Sequence, residues 1–277
     1  AQRLSPPHSG QRWPSDVMSA SMHRSVEARP GIGRMIWSAP MIRVLVLTAL
    51  GLFASLVSAQ SSHRVPDTLA QRLQACTVCH GAQGRATPGG YFPRIAGKPA
   101  DYLYHQLLHF RDGRRNNAGM SYLLDHMSDT YLRDIAAHYA NLDLPYPPPL
   151  PPAASPAALA RGAQLVRQGD PVRGLPACND CHGVRMTGVA PAVPGLLGLP
   201  RDYLIGQLGA WQTGLRKAFE PDCMARIARQ MAPEDVSAVA SWLAAQPVPD
   251  PAHPQAALSG PMPMDCGLTP PARSRQP

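Results

Sequence analysis

A chain of 277 residues is long enough for one large or two ordinary domains. Its 32 Pro and 23 Gly against 6% aromatic residues favour short helices and many turns, and leave the core to Leu, Ala, Val and Met unless a large flat cofactor helps to fill it. The net charge of +8 falls to +4 once the six Arg and two acidic residues of residues 1–59 are set aside, and no Lys/Arg run with interleaved aromatics occurs, which argues against a nucleic-acid partner.

Residues 1–40 are polar and without a sustained period, the composition of a disordered segment or of sequence upstream of the true start. Residues 41–59 have the layout of a secretory signal peptide: a basic start at Arg43, an apolar run from Val44 to Val57 and the small-residue exit Ser58-Ala59. The run has 14 residues, short of the ~20 needed to span a bilayer. The expectation is cleavage near Ala59/Gln60 and a periplasmic product.

Helical patterns account for the rest. Leading helices are expected at 66–76 and 156–168, and helices that begin with Pro near the first turn at 99–112 and 200–213. Closing helices start at the capping cues Ser128-Asp129 and Ala232-Pro233-Glu234, with apolar residues Leu132, Ile135, Ala136 and Tyr139 in one and Val236, Val239, Ala240 and Leu243 in the other. No alternating strand pattern of useful length is present, so the fold class is all-α.

The chain repeats itself. Residues 92–103 align without gaps on 193–204, pairing Pro93 with Pro194, Gly97 with Gly198, Asp101 with Asp202 and Tyr102 with Tyr203; the register continues through Gln106/Gln207, Gly113/Gly214 and Arg115/Arg216. This organisation predicts one domain over 60–144, a Pro-rich linker over 145–155 acting as a semi-rigid spacer, a second domain over 156–247 and a Pro-rich tail over 248–277.

The chemistry sits in Cys76-Thr77-Val78-Cys79-His80 and Cys178-Asn179-Asp180-Cys181-His182. Cys-x-x-Cys-His is the haem c attachment signal, in which two thiols add to the vinyl groups and the adjacent His becomes the proximal iron ligand. Two zinc-type Cys pairs or a redox dithiol are the competing readings, but neither accounts for a His directly after both pairs. The cofactors expected are therefore two covalently bound haem c groups.

A carrier of single electrons needs a second axial ligand. Matched Met pairs occur at Met120/Met224 and Met127/Met231. Met120 and Met224 follow loops after Gly113 and Gly214 and are the ligand candidates, whereas Met127 and Met231 stand at the entrance of the closing helices, where core filling is expected. The carbonyls of Pro93 and Pro194 are candidate acceptors for the second ring nitrogens of His80 and His182. Arg115 and Arg216 are candidate partners of haem propionates, with a solvated surface role as the alternative. His105, His109, His126 and His138 have no counterparts in the second half and are expected at the surface or in helix packing.

With these residues in place, the chain resembles the two-domain, two-haem class I cytochromes c of the cytochrome c4 type over about residues 70–247. The resemblance implies tandem cytochrome c domains, Cys76, Cys79, His80 and Met120 at one haem, and Cys178, Cys181, His182 and Met224 at the other. It implies electron transfer without substrate turnover, between protein partners such as a quinol-oxidising complex, a periplasmic dehydrogenase or a terminal oxidase, with room for peripheral membrane association. The chain departs from that pattern at His138, where an aromatic residue such as the second half's Trp242 is usual, and at Cys223 and Cys266. These two are the cysteines left after the motifs take four, and an exported protein favours pairing them as a disulfide. A free buried Cys223, or a thiolate ligand in a peroxidase-like or thiosulfate-oxidising haem enzyme, is the alternative.

Overall fold

The computed structural model describes residues 67–87, 89–149, 151–152 and 154–268. The expectations for residues 1–40 and 41–59 and for cleavage at Gln60 lie outside the described residues.

The first half contains α1 (Leu69–Arg72), α2 (Gln74–His80), α3 (Ala100–Arg111), α4 (Ala118–Leu124) and α5 (Asp129–Ala140). The second contains α6 (Pro156–Gln168), α7 (Cys178–His182), α8 (Arg201–Gln212), α9 (Cys223–Gln230) and α10 (Pro233–Ala244). Two-residue strands, β1 (Gly188–Val189) and β2 (Val193–Pro194), pair antiparallel between α7 and α8. Among the described residues the fold class is all-α, as expected.

Helix boundaries follow local chemistry. Ser128 Oγ accepts from the Tyr131 amide at 3.2 Å, and Ser155 Oγ from the Ala158 amide at 3.2 Å, which satisfies otherwise orphaned first-turn donors of α5 and α6. At the other end of α3 and α8, Gly113 and Gly214 take φ of 73° and 76°, a left-handed turn that glycine adopts without the Cβ penalty. The expected leading helix of the first half is split: a tightened bond from the Cys76 amide to the Leu73 carbonyl, 3.0 Å, separates α1 from α2, and the whole attachment motif lies inside α2.

Each half has its own core. Leu73, Leu103, Leu108, Leu132, Ile135 and Tyr139 pack in the first, and Leu165, Val166, Leu204, Val239, Ala240 and Leu243 in the second. The leading and closing helices of the second half meet at Gly162, where a Cβ would stand 2.3 Å from the Ala238 carbonyl oxygen. Only glycine permits that approach. Asp235 on α10 then bonds Arg161 of α6 at 2.9 Å and Arg173 at 2.7 Å, tying both helices to the turn that follows α6.

The linker does not hold the halves apart. Tyr146 lies under the Arg94 guanidinium at 3.9 Å and against Gly198, so the strap is pinned to both halves. The Lys217 amide donates to the Arg114 carbonyl at 2.6 Å and the Asn116 amide to the Leu215 carbonyl at 3.2 Å, forming a short antiparallel bridge between halves. Phe219, from the second half, enters the first half's core and stacks edge-on to His105 and His109. Both histidines are buried packing residues; burial, then the Arg114 charge, pushes His109 down to about 3, so it stays neutral. The tail returns as well: Gln255 exchanges backbone bonds with Gly188 and Ala190, both 2.8 Å, and adds to the small hairpin.

Candidate functional site

Helical placement puts Cys76 and Cys79, three residues apart, on one face of α2, and Cys178 and Cys181 likewise on α7. Each motif ends at a buried histidine followed by a glycine. The Nδ1 atom of His80 lies 2.8 Å from the Pro93 carbonyl oxygen, and that of His182 lies 2.7 Å from the Pro194 carbonyl oxygen. A carbonyl oxygen only accepts, so Nδ1 carries the hydrogen in both rings and Nε2 keeps its lone pair. This is the tautomer and orientation a metal-ligating histidine requires.

Burial is the main force on these groups. It lowers the proton affinity of His80 and His182, against the opposing pull of the proline carbonyls. It raises the thiols of Cys76 and Cys181 and pushes Cys178 up to about 12, which disfavours the thiolate form at these three. Among the described residues no three His, Cys, Asp or Glu side chains converge as a metal site.

Both motifs open on one cavity of about 2130 Å³. That is at least twice an ordinary small-molecule site of ~300–1,000 Å³. Cys76, Cys79 and His80 line one part, Cys178, Cys181 and His182 another, and Met120, Met127, Met224 and Met231 all contribute to the wall. Met120 and Met224 are on helices, not loops: Asn117 caps α4 by accepting from the Met120 amide at 3.1 Å, and Asp222 caps α9 by accepting from the Ala225 amide at 3.0 Å. Met231 packs on the second core whereas Met224 does not; in the first half both Met120 and Met127 touch the core.

Arg115 and Arg216 are buried, not solvated. They meet where the halves join and bond Gln106, Gln207 and Tyr203, all neutral oxygen acceptors. Among the described residues neither has a carboxylate partner. Burial, then the Arg115 charge, lowers Arg216 to about 10. Two buried like charges facing a shared cavity call for anions from its occupant. A pair of haems, each with two propionates, fits the wall: paired thiols beside histidines with free Nε2, thioethers on the facing helices, and cations where the two sites meet.

Cys223 and Cys266 form a disulfide with Cα atoms 5.4 Å apart, closing a separation of 43 residues. The Cys223 sulfur is thereby taken, which removes the thiolate-ligand alternative. Buried Arg94 and Lys98 received no role from the sequence; their counterparts in the repeat are Gly195 and Leu199.

No family model matches this chain. The chain is 37% identical over 210 residues to a thiosulfate dehydrogenase electron acceptor of Thiomonas intermedia, covering 76% of this chain and 93% of that protein. It is 33% identical over 186 residues to cytochrome c4 of Pseudomonas aeruginosa, covering 66% and 90%. Among solved structures, reduced cytochrome c4 from Pseudomonas stutzeri superposes with a TM-score of 0.54 at 28% identity, over 63% of this chain and 95% of that one. The thiosulfate dehydrogenase of Marichromatium purpuratum superposes with a TM-score of 0.57 at 32% identity over 62% of this chain, which spans 36% of that longer one. The repeat, the two attachment motifs and these relatives agree: the chain belongs to the cytochrome c4 family of electron-transfer proteins with two covalently bound haem c groups.

Proposed function

We propose that the protein works in the periplasm as the electron acceptor of a thiosulfate dehydrogenase, passing single electrons on to a terminal oxidase or similar acceptor. The observation that carries this reading is the 37% identity to an electron acceptor of that name over 93% of its length. Among the described residues no helix is long and apolar enough to cross a membrane. Export rests on the 41–59 signal pattern, with removal near Ala59/Gln60.

At the first site Cys76 and Cys79 attach the haem and His80 and Met120 ligate it; at the second, Cys178, Cys181, His182 and Met224 do the same. The haem supplies a one-electron iron couple. The protein's own part is to hold Nε2 of each histidine toward the cavity through the proline carbonyls, to keep water out with the two apolar cores, and to offset propionate charge with Arg115 and Arg216.

The test is direct mixing. Purified oxidised protein should become ferrous within the dehydrogenase turnover time when catalytic thiosulfate dehydrogenase and thiosulfate are added, and stay oxidised when either is omitted. Failure of a dehydrogenase that reduces its own acceptor to reduce this protein, with reduction instead by a quinol-oxidising complex, overturns the donor assignment.

A further inference from the structure

The two proximal walls differ in the source of their positive charge. In the first half Pro93 is followed by Arg94, a buried guanidinium that donates to the carbonyls of Ala96 at 3.2 Å, Leu144 at 2.5 Å and Pro145 at 3.2 Å. In the second half Pro194 is followed by Gly195, where a Cβ would stand 2.5 Å from the Thr187 carbonyl oxygen. No side chain fits there. The cation comes from the other half: Lys98, 5% exposed, donates from Nζ to the Gly195 carbonyl oxygen at 3.2 Å. Its place in the repeat is held by Leu199 in the second half, so the first site receives no lysine in return.

The Gly195 carbonyl follows directly on the Pro194 carbonyl that lies 2.7 Å from His182 Nδ1, so the Lys98 ammonium stands one peptide unit from the anchor of the ligand ring. A fixed positive charge there disfavours the extra positive charge that ferric iron would carry over ferrous iron at His182. Because Lys98 is buried, salt screens this field little.

We propose that Lys98 is a positioning residue for the second haem site, raising its reduction potential by a charge that the first half delivers across the junction to the Gly195 carbonyl. The inference rests on His182 being the second site's ligand. For a unit charge at an effective dielectric of ~20, a separation on the order of 12 Å changes a one-electron equilibrium by about tenfold, which corresponds to about 59 mV.

Redox titration of the haem-loaded protein tests it, with the second wave identified as the one displaced by Met224→Ala. Lys98→Met and Lys98→Gln should each lower that wave by about tenfold in its equilibrium constant, at low and high salt alike, and leave the first wave in place. Lys98→Gln also keeps a donor for the Gly195 carbonyl and so guards against a folding defect in Lys98→Met. Lys98→Arg should stay near the parent. The proposal is overturned if both waves move together, if neither moves, if Lys98→Gln keeps the parent potential, or if Lys98→Arg behaves as the neutral variants do. A parent protein without two separable haem sites would instead overturn the ligand assignment beneath it.

Discussion

Arg115 and Arg216 share their acceptors across the junction: Arg115 bonds its own half's Gln106 at 3.0 Å and the other half's Gln207 at 2.6 Å, while Arg216 bonds Gln207 at 2.8 Å and Gln106 at 2.9 Å. Arg115 also reaches Tyr203 Oη at 2.9 Å. The arrangement is two-fold in pattern because the repeat placed the same Arg and Gln at matched positions in each half.

Neutral oxygens satisfy the guanidinium donors without cancelling their charge. In the haem-loaded protein Arg216→Met should cost about 2 kcal/mol, the order of a hydrogen bond to a charged group. For a protein of this size that is a fall in melting temperature of about 4–8 °C. In the haem-free protein the same change should be neutral or stabilising, since it removes one of two buried like charges. Calorimetry on both forms checks the difference; equal effects would show that Arg216 serves packing and not an anion.

Ligation by thioether sulfur has a spectroscopic consequence. Met120→Ala and Met224→Ala should each remove about half of the weak near-infrared band of Met-ligated ferric haem and lower one of the two potentials. Met127→Ala and Met231→Ala should leave the band intact and cost about 2–4 kcal/mol through the cavity they open. A band that survives Met120→Ala but vanishes with Met127→Ala reverses the assignment.

The disulfide joins the tail to the first turn of α9, one residue before Met224. Loop-closure arithmetic for about 43 residues gives roughly 4 kcal/mol, subject to native strain. Cys266→Ser should therefore lower the melting temperature. It should also release the second site's Met ligand at a lower temperature or pH than in the parent, and leave the first site unchanged. Equal loosening of both sites would separate the bridge from Met224.

Asp235 supplies a pH dependence. Burial works to raise its carboxyl, but hydrogen bonds from Arg161 and Arg173 outweigh it and hold the group below the usual carboxylate range. A depressed folded-state value means that the stabilisation is present above the unfolded value of ~3.9 and is lost as pH falls through the lower folded value. Asp235→Asn should thus cost about 2 kcal/mol near neutrality. The gap to the parent should close below about pH 4. Melting curves from neutral to acid pH report it, and a gap that persists in acid would place the effect in packing.

What the sequence determined by itself is local. The attachment motifs span five residues each, and the caps at Ser128 and Ser155 act on amides three residues away, so short-range chemistry sets both the haem sites and the helix starts. The pairing of Cys223 with Cys266 was legible by elimination, because four of six cysteines were already committed. The helices that carry Met120 and Met224 were hidden: α4 and α9 have seven and eight residues, too few for a period to stand out, and their Asn117 and Asp222 caps read equally well as turn residues. Contacts across the junction had no local signal at all. Arg115 to Tyr203 spans 88 positions, Lys98 to Gly195 spans 97 and Arg216 to Gln106 spans 110. The sequence registered Lys98 only as a charge and left Arg216 between a propionate partner and a solvated surface residue, because a charge in a sequence carries no record of whether it will face water. That was decided when two folded halves closed on one cavity, leaving Lys98 beside the backbone of a glycine that has no room for a side chain of its own.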